Sequence, residues 1–314
     1  MNSVKNFALE KDRYLFFDVF HKNNKLIFIC PVYVNGINIQ DLHIFNTNRE
    51  LTLCEKYSKI EYEPIEILIY DFISDNSLNT ITVNFCEMTK DFTLTHIKSE
   101  ITGKLALSTL FKDDYNLINV FYNYYTKQGV THFYMYYNGK LTEDIISKYN
   151  LPGITLIEWD FHYWNNGCSF IHHAQLGQIH HAIYKYGKDT NEYMILCDLD
   201  EYLYIPNTSL IVYFEKHPNI DMFGFKNCWA DTHESTIPDA IPKDIKCSNY
   251  IFPFGERSKC VYKTHSIATA GIHTYKDFLY GPTISHENIM FHFYKWSGKA
   301  RNETVNQSIT LELL

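Results

Sequence analysis

The chain has 314 residues, of which 46% are hydrophobic and 20% charged, so it can bury a sizeable core and is not disordered. Its net charge of −8 and pI of about 6.0 argue against a nucleic-acid-binding surface, which needs a basic stripe. No apolar run approaches the length of a transmembrane segment, and no signal-peptide pattern follows Met1. We therefore expect a soluble, cytoplasmic protein.

Residues 1–102 predict a small β-rich module. Short apolar segments alternate there with clusters of Asn, Asp and Ser, a pattern typical of strands and turns. We recognise no catalytic motif in this part, so we interpret it as an accessory module. The predicted strands are Tyr14–Val19, Leu26–Tyr33, Ile65–Tyr70 and Thr80–Phe85.

From residue 103 on, predicted strands alternate with predicted helices. This alternation is typical of the α/β class, with a mostly parallel sheet, crossover helices, and ligands bound beyond the carboxyl ends of the strands. We assign residues 103–300 to this domain and residues 301–314 to a C-terminal tail. The predicted strands are Lys104–Leu110, Val130–Tyr137, Ile154–Trp159 and Tyr193–Cys197. The predicted helices are Asp113–Lys127, Thr142–Tyr149 and Ser169–Tyr186.

Histidines recur in pairs on the third predicted helix, at His172-His173 and His180-His181. A metal site on a helix requires two ligands four residues apart, as in HExxH, and that spacing is absent here. We expect these histidines to lie on the surface or in a cleft and not to bind a metal.

The strongest local signal is the acidic segment Asp198-Leu199-Asp200-Glu201, which directly follows an apolar strand. Carboxylates at the end of a buried strand repel one another and lose solvation, and a hard divalent cation relieves both costs. In an extended chain Asp198 and Asp200 lie on one side. One can bind the metal while the other binds a metal-bound water or a ribose hydroxyl. A solvated acidic turn is the alternative, because Asp-x-Asp is common.

The segment Cys197–Leu203 resembles the D-x-D-E-[FY] motif of GT-A glycosyltransferases, especially those of glycosyltransferase family 92. Asn119–Asn138 is similar to that family's helix followed by G-V-x-H-F-Y-x-Y-D-N. Three later segments resemble its basic segment, its G-x-H turn and its closing strand: Arg257–Lys259, Gly271–His273 and His292–Lys295. Together the resemblance spans residues 104–297.

This resemblance implies a GT-A, Rossmann-like fold and a glycosyltransferase that uses Mn²⁺ or Mg²⁺. It implies a nucleotide-sugar donor, most simply a UDP-sugar such as UDP-galactose, a glycan or other hydroxyl acceptor, and inversion at the anomeric carbon. Asp200 would coordinate the metal, Asp198 would contact the ribose or a metal-bound water, and His273 would complete the shell, as suits imidazole and Mn²⁺. The residues implied to bind the nucleotide are Ser108, Lys112, Asn138 and Gln175.

The downstream residues supply candidates for leaving-group and acceptor chemistry. Arg257, Lys259 and Lys263 could neutralise the departing diphosphate, but without the resemblance a solvated strand edge is the favoured interpretation of these charges. An inverting transferase needs a carboxylate base near the acceptor hydroxyl. The candidates for that base are Asp231, Glu234 and Glu287, each of which could also be an ordinary surface acid. Trp229 could stack on an acceptor sugar or lie in the core.

Two other classes of function remain open. A metal-dependent nucleotidyltransferase also uses a carboxylate pair, but it is expected to carry a Gly-rich phosphate loop, and Lys104–Lys112 contains no Gly. A non-catalytic sugar-binding protein would use the acidic turn only structurally. The sequence contains no GxGxxG after a strand, no P-loop, no GxSxG and no HExxH.

Overall fold

A computed structural model gives the fold, which is mixed α/β with a β-rich N-terminal region, as predicted. In the part of the chain that it describes, no helix is long and apolar enough to cross a membrane. The described residues are 4–33, 41–47, 49–59, 63–73, 78–98, 103–165, 168–232, 236–300 and 304–313.

The N-terminal part forms a curled eight-stranded sheet beside a two-stranded sheet. Its strands are β1 (Phe7–Glu10), β2 (Arg13–Phe16), β3 (Asp18–Lys22), β4 (Lys25–Pro31), β5 (Leu42–Asn46), β6 (Arg49–Glu50), β7 (Leu53–Lys59), β8 (Ile65–Asp71), β9 (Leu78–Phe85) and β10 (Met88–Ile97). The large sheet has the order β6-β5-β9-β10-β3-β4-β8-β7, and all four strands predicted in this part are confirmed, with Tyr14–Val19 divided between β2 and β3.

The second part forms a ten-stranded sheet with helices and two small hairpins. Its strands are β11 (Gly103–Phe111), β12 (His132–Tyr137), β13 (Ile154–Glu158), β14 (Trp164–Asn165), β15 (Cys168–His172), β16 (Asn191–Leu196), β17 (Glu201–Tyr204), β18 (Met222–Asp231), β19 (Asp244–Ile251), β20 (Lys259–Lys263), β21 (Ile267–Ala270), β22 (Tyr275–Phe278), β23 (Ile284–His292) and β24 (Val305–Thr310). Its α-helices are α1 (Ile118–Lys127), α2 (Glu143–Lys148), α3 (His173–His181) and α4 (Leu210–Lys216).

The predicted parallel sheet holds for the strands before Asp198, which lie in the order β13-β12-β11-β16 with every neighbouring pair parallel. Beyond β16 the order continues β20-β18-β19-β24 with antiparallel pairs. The residues predicted as a tail contain β24, which forms the edge of this sheet. Antiparallel neighbours need no crossover helix, so the alternation of strands and helices ends with the parallel strands.

Helix α3 lies between the two parts of the chain, and all of its residues are buried. It begins at His173 instead of the predicted Ser169, because Cys168–His172 pairs with β14 as strand β15. The expectation that the helix histidines lie on the surface or in a cleft is wrong for His180 and His181, which are fully buried. Apolar side chains from the N-terminal strands and from the central sheet cover both faces of α3.

Asp18 on β3 joins the N-terminal sheet to the end of α3 and to the helical turn Ala182–Gly187 that follows it, through a buried ion pair. Its carboxylate accepts hydrogen bonds from the Lys185 amine at 2.7 Å and from His181 Nε2 at 2.8 Å. Burial alone would raise the pKa of Asp18, but the charge of Lys185 and the contacts with His181 outweigh it and lower that pKa to about 2. The N-terminal module is therefore fixed to α3 by an ionised carboxylate that has no access to water.

The buried histidines of α3 predict a loss of stability in acid. Burial lowers the pKa of His173, His180 and His181 to about 4, from an ordinary value of 6.5. Between those values the unfolded chain binds protons that the folded protein does not, so the free energy of unfolding falls as the pH drops. We expect the free energy of unfolding, measured by urea denaturation, to be at least about 2 kcal/mol lower at pH 4.5 than at pH 7.5. A free energy of unfolding that is equal at both pH values would contradict this.

Candidate active site

A cavity of about 360 Å³ lies at the carboxyl ends of β11, β12 and β16, where a ligand of a parallel sheet is expected. Its wall combines carboxylates, amines and amides with a few apolar side chains. The residues that line it are Leu110, Phe111, Lys112, Asp114, Leu117, Asn138, Tyr163, Gln175, Asp198, Leu199, Asp200, Ser297 and Lys299.

Asp198 is held from two directions in the turn that connects β16 to β17. Its Oδ1 accepts a hydrogen bond from Gln175 Nε2 at 3.2 Å, and its Oδ2 accepts one from Lys259 Nζ at 3.1 Å. Tyr163 in turn donates to Gln175 Oε1 at 3.2 Å. Burial favours the protonated acid, but the charge of Lys259 outweighs it and lowers the pKa of Asp198. Asp198 is therefore a fixed carboxylate that faces the cavity.

Asp200 is more deeply buried, with a side chain that is only 2% exposed. Its Oδ2 accepts hydrogen bonds from Ser297 Oγ at 2.5 Å and from Lys299 Nζ at 2.9 Å. His292 Nε2 lies 3.2 Å from the same oxygen. Burial again opposes ionisation, but His292 and Lys299 outweigh it and hold the pKa of Asp200 well below its usual range. One carboxylate oxygen therefore has three nitrogen or oxygen partners.

Glu201, the third acid of the segment, closes the turn beneath the cavity. Its Oε2 accepts a hydrogen bond from the backbone N–H of Asp198 at 2.7 Å and lies 3.3 Å from Lys259 Nζ. Burial and the neighbouring Asp198 raise the pKa of Glu201 to about 6. Because Lys259 is only 2% exposed and touches both acids, its role includes fixing the turn.

His292 is a functional candidate to which the sequence analysis gave no metal role. Pairing of β17 with β23 places His292 opposite Glu201 and beside Asp200. Both of its ring nitrogens are buried: Nε2 lies 3.2 Å from Asp200 Oδ2, and Nδ1 lies 3.7 Å from Glu201 Oε1. Asp200 and His292 are 92 positions apart in the sequence, so no local pattern predicts their contact. The one available signal was the similarity of His292–Lys295 to the family's closing strand.

The donor atoms around Asp200 suit a hard divalent cation. Carboxylate oxygens with one imidazole nitrogen are ligands for Mn²⁺, and His292 Nε2 lies 3.2 Å from Asp200 Oδ2. Within the described ranges, no three His, Cys, Asp or Glu side chains converge closely enough to hold an ion by themselves. Mg²⁺-type sites complete their shell with water and substrate phosphates. An ion held at Asp200 would therefore take its remaining ligands from water or from a bound phosphate.

Three of the predicted nucleotide contacts, Lys112, Asn138 and Gln175, line the cavity. Asn138 also donates through its amide to the carbonyls of Trp159 and Phe161, at 2.9 and 2.8 Å. These contacts fix the end of β12 against the loop that carries Tyr163.

Other predicted residues lie outside this lining. Ser108 is buried and accepts a hydrogen bond from Gln178 Nε2 at 2.6 Å. Lys263 is buried and donates to the Pro218 carbonyl. The guanidinium of Arg257 lies 5.4 Å from the centre of the Trp229 ring. Their nucleotide contacts stay predictions, as does the metal role of His273, whose Nδ1 lies 3.3 Å from the Ser258 carbonyl.

The candidate bases occupy different environments. Asp231 ends β18, is 16% exposed and pairs with Lys295. Glu287 is 78% exposed and pairs with Lys226 at 3.2 Å. Glu234 lies outside the described residues. Trp229 is fully buried, which confirms the core alternative for that side chain.

Asp114 is a cavity residue that the sequence analysis treated only as a helix cap. Its side chain makes no capping hydrogen bond, and its carboxyl group lines the cavity instead. Burial and the charge of Asp200 raise the pKa of Asp114. Its position directly after the first parallel strand was the signal that could have indicated this role.

The family model described as "Glycosyltransferase family 92" matches residues 106–311, which is more than half of the chain. The chain belongs to glycosyltransferase family 92 and is thus a glycosyltransferase by family.

Other comparisons add little. No curated protein matches this chain. Among solved structures, the amylomaltase from Corynebacterium glutamicum is 13% identical, with 40% of this chain and 21% of that chain covered, at a TM-score of 0.19. This chain therefore spans about a fifth of the amylomaltase, and so low a TM-score supports no conclusion about the fold.

Proposed function

We propose that this chain is a metal-dependent GT-A glycosyltransferase that transfers a sugar from a UDP-sugar, such as UDP-galactose, to a hydroxyl group of a glycan. The observation that carries the proposal is the placement of Asp198 and Asp200 on the wall of a cavity at the carboxyl ends of parallel strands. The buried imidazole of His292 beside Asp200 supports the metal, and the four parallel strands support the GT-A arrangement.

On the donor side, Asp198, Asp200 and His292 would hold Mn²⁺ or Mg²⁺. When bound, such an ion neutralises the charge that develops on the departing nucleoside diphosphate. Lys112 is exposed on the cavity wall and supplies a further positive charge for the phosphates. Gln175 keeps Asp198 oriented through its hydrogen bond.

On the acceptor side, the proposed reaction is a single displacement. The acceptor oxygen bonds to the anomeric carbon, the bond from that carbon to the diphosphate oxygen breaks, and a carboxylate takes the hydroxyl proton. Asp231 is the candidate that we prefer, because β18 pairs Trp229 with His292 and Asp231 follows two residues later. Glu287 lies at the solvent-exposed part of β23, and Glu234 remains a candidate.

The test is a screen of nucleotide-sugars with purified protein and Mn²⁺, in which free nucleoside diphosphate is measured with and without EDTA. We expect one class of donor to release nucleoside diphosphate. Adding EDTA should abolish this release, because without the ion the carboxylates of the site repel the diphosphate. Absence of both binding and hydrolysis for every nucleotide-sugar would reject the proposal. Pyrophosphate released from a nucleoside triphosphate and a sugar phosphate would identify a nucleotidyltransferase, and metal-independent glycan binding a sugar-binding protein.

A further inference from the structure

Lys299 brings a positive charge to the cavity wall from the C-terminal side of the chain. It follows Gly298, whose φ of +70° ends the short 3₁₀ turn Tyr294–Ser297. The backbone N–H of Lys299 donates to the Tyr294 carbonyl at 3.2 Å, so the main chain is anchored. Its side chain is 40% exposed and reaches Asp200 Oδ2 at 2.9 Å. An anchored backbone thus carries a long cationic side chain with room to move.

The contact of Lys299 with Asp200 conflicts with a divalent ion at the same carboxylate. Oδ2 already accepts hydrogen bonds from Ser297 and Lys299, and His292 lies beside it. An ion bound to this oxygen would stand next to the Lys299 ammonium, and two cations that close repel each other strongly in a partly buried site. An ion bound through Oδ2 would therefore displace Lys299 from Asp200.

The charges of the cavity indicate where the ammonium goes. Among the described residues that line it, three carboxylates (Asp114, Asp198 and Asp200) are accompanied by two amines (Lys112 and Lys299). A diphosphate that enters adds further negative charge on the open side of the same cavity. An ammonium released from Asp200 can pair with that diphosphate, because charge-assisted hydrogen bonds to phosphate oxygens are strong.

We propose that Lys299 changes partners: it pairs with Asp200 in the free protein and with the donor's diphosphate once a divalent ion occupies Asp200. This inference rests on the proposed function for the identity of the ligand. It makes Lys299 a direct contact of the nucleotide and, at the same time, a competitor of the metal in the absence of nucleotide.

The two roles predict opposite changes in affinity when Lys299 is replaced: tighter binding of Mn²⁺ and weaker binding of UDP. A purely structural role would not produce this combination. In Lys299→Met, Mn²⁺ alone should bind at least about threefold more tightly, because its competitor for Asp200 is gone. UDP in saturating Mn²⁺ should bind about tenfold more weakly, the effect of one lost charge-assisted hydrogen bond. Mn²⁺ binding is followed by the electron paramagnetic resonance signal of the free ion, and UDP binding by calorimetry.

Two further variants serve as controls. Lys299→Arg keeps the positive charge and should stay closer to the wild-type protein than Lys299→Met in both titrations. Lys104→Met removes an exposed lysine that pairs with Glu215 at 2.5 Å, away from the cavity lining, and should change neither affinity. Thermal unfolding of each variant verifies that the fold is retained.

The outcomes are distinguishable. Mn²⁺ affinity that is unchanged or weaker in Lys299→Met overturns the competition, and unchanged UDP affinity overturns the diphosphate contact. Either result rejects the inference while wild-type binding of UDP with Mn²⁺ still supports the proposed function. A wild-type protein that binds Mn²⁺ but no nucleotide rejects the proposed donor and, with it, the diphosphate role of Lys299.

Discussion

Replacing Asp200 by Asn is expected to lower the rate of Mn²⁺-dependent sugar transfer by about a thousandfold. The amide has nearly the same shape as the carboxylate but lacks its charge and one strong metal-binding oxygen. Ser297 Oγ, now 2.5 Å from Oδ2, can still donate to the amide oxygen, so the local packing is kept. The measurement is release of nucleoside diphosphate from the donor, combined with UDP titration in the presence and absence of Mn²⁺.

The control for Asp200→Asn is Asp71→Asn in the N-terminal sheet. Asp71 forms an exposed pair with Lys25 at 2.8 Å and is remote in sequence and sheet from the cavity. This variant should retain wild-type turnover. We expect Asp200→Asn to unfold within about 4 °C of the wild-type protein, so that a loss of rate reflects the site and not the fold. Metal-dependent nucleotide affinity that survives in Asp200→Asn would place the metal elsewhere.

The second large effect is expected at Asp18, far from the cavity in sequence. Asp18→Asn should lower the free energy of unfolding by about 3–5 kcal/mol, because it leaves the buried ammonium of Lys185 without its counter-ion. The neighbouring contact with His181, at 2.8 Å, is weakened as well. Urea denaturation at pH 7.5 measures the change directly.

A double variant tests the cause of that loss. Adding Lys185→Met to Asp18→Asn removes the unpaired charge and should recover a substantial part of the stability. If the double variant is as unstable as the sum of the single variants, the ion pair is not the origin of the effect. Asp71→Asn again provides the matched control, because it breaks an exposed pair and should leave the unfolding midpoint unchanged.

The position of this ion pair bears on the role of the N-terminal module. Asp18 holds α3 from one side, and the same helix presents Gln175 to Asp198 at 3.2 Å and Gln178 to Ser108 at 2.6 Å. Apolar residues of β4 and β8 share a core with α3 and the central sheet. The module interpreted from sequence as an accessory therefore supports the helix that orients the acidic turn.

Local sequence patterns were sufficient to predict the part of the site that follows the parallel strands. Alternation of strands and helices predicted the parallel strands, and it placed Lys112, Asn138 and Asp198 at their carboxyl ends. Gln175 followed from the family resemblance. These residues lie within or directly after regular elements, where hydrophobic periodicity and capping residues report the structure.

Contacts between elements far apart in the sequence bring in the side chains that complete the site. His292 and Lys299 reach Asp200 because β23 pairs with β17 in a register that places His292 opposite Glu201. Periodicity within either strand carries no information about that register, since it depends on side chains packed from both strands. The same holds for His180 and His181, which lie in the core because the N-terminal sheet covers α3, a contact made by residues more than 150 positions earlier.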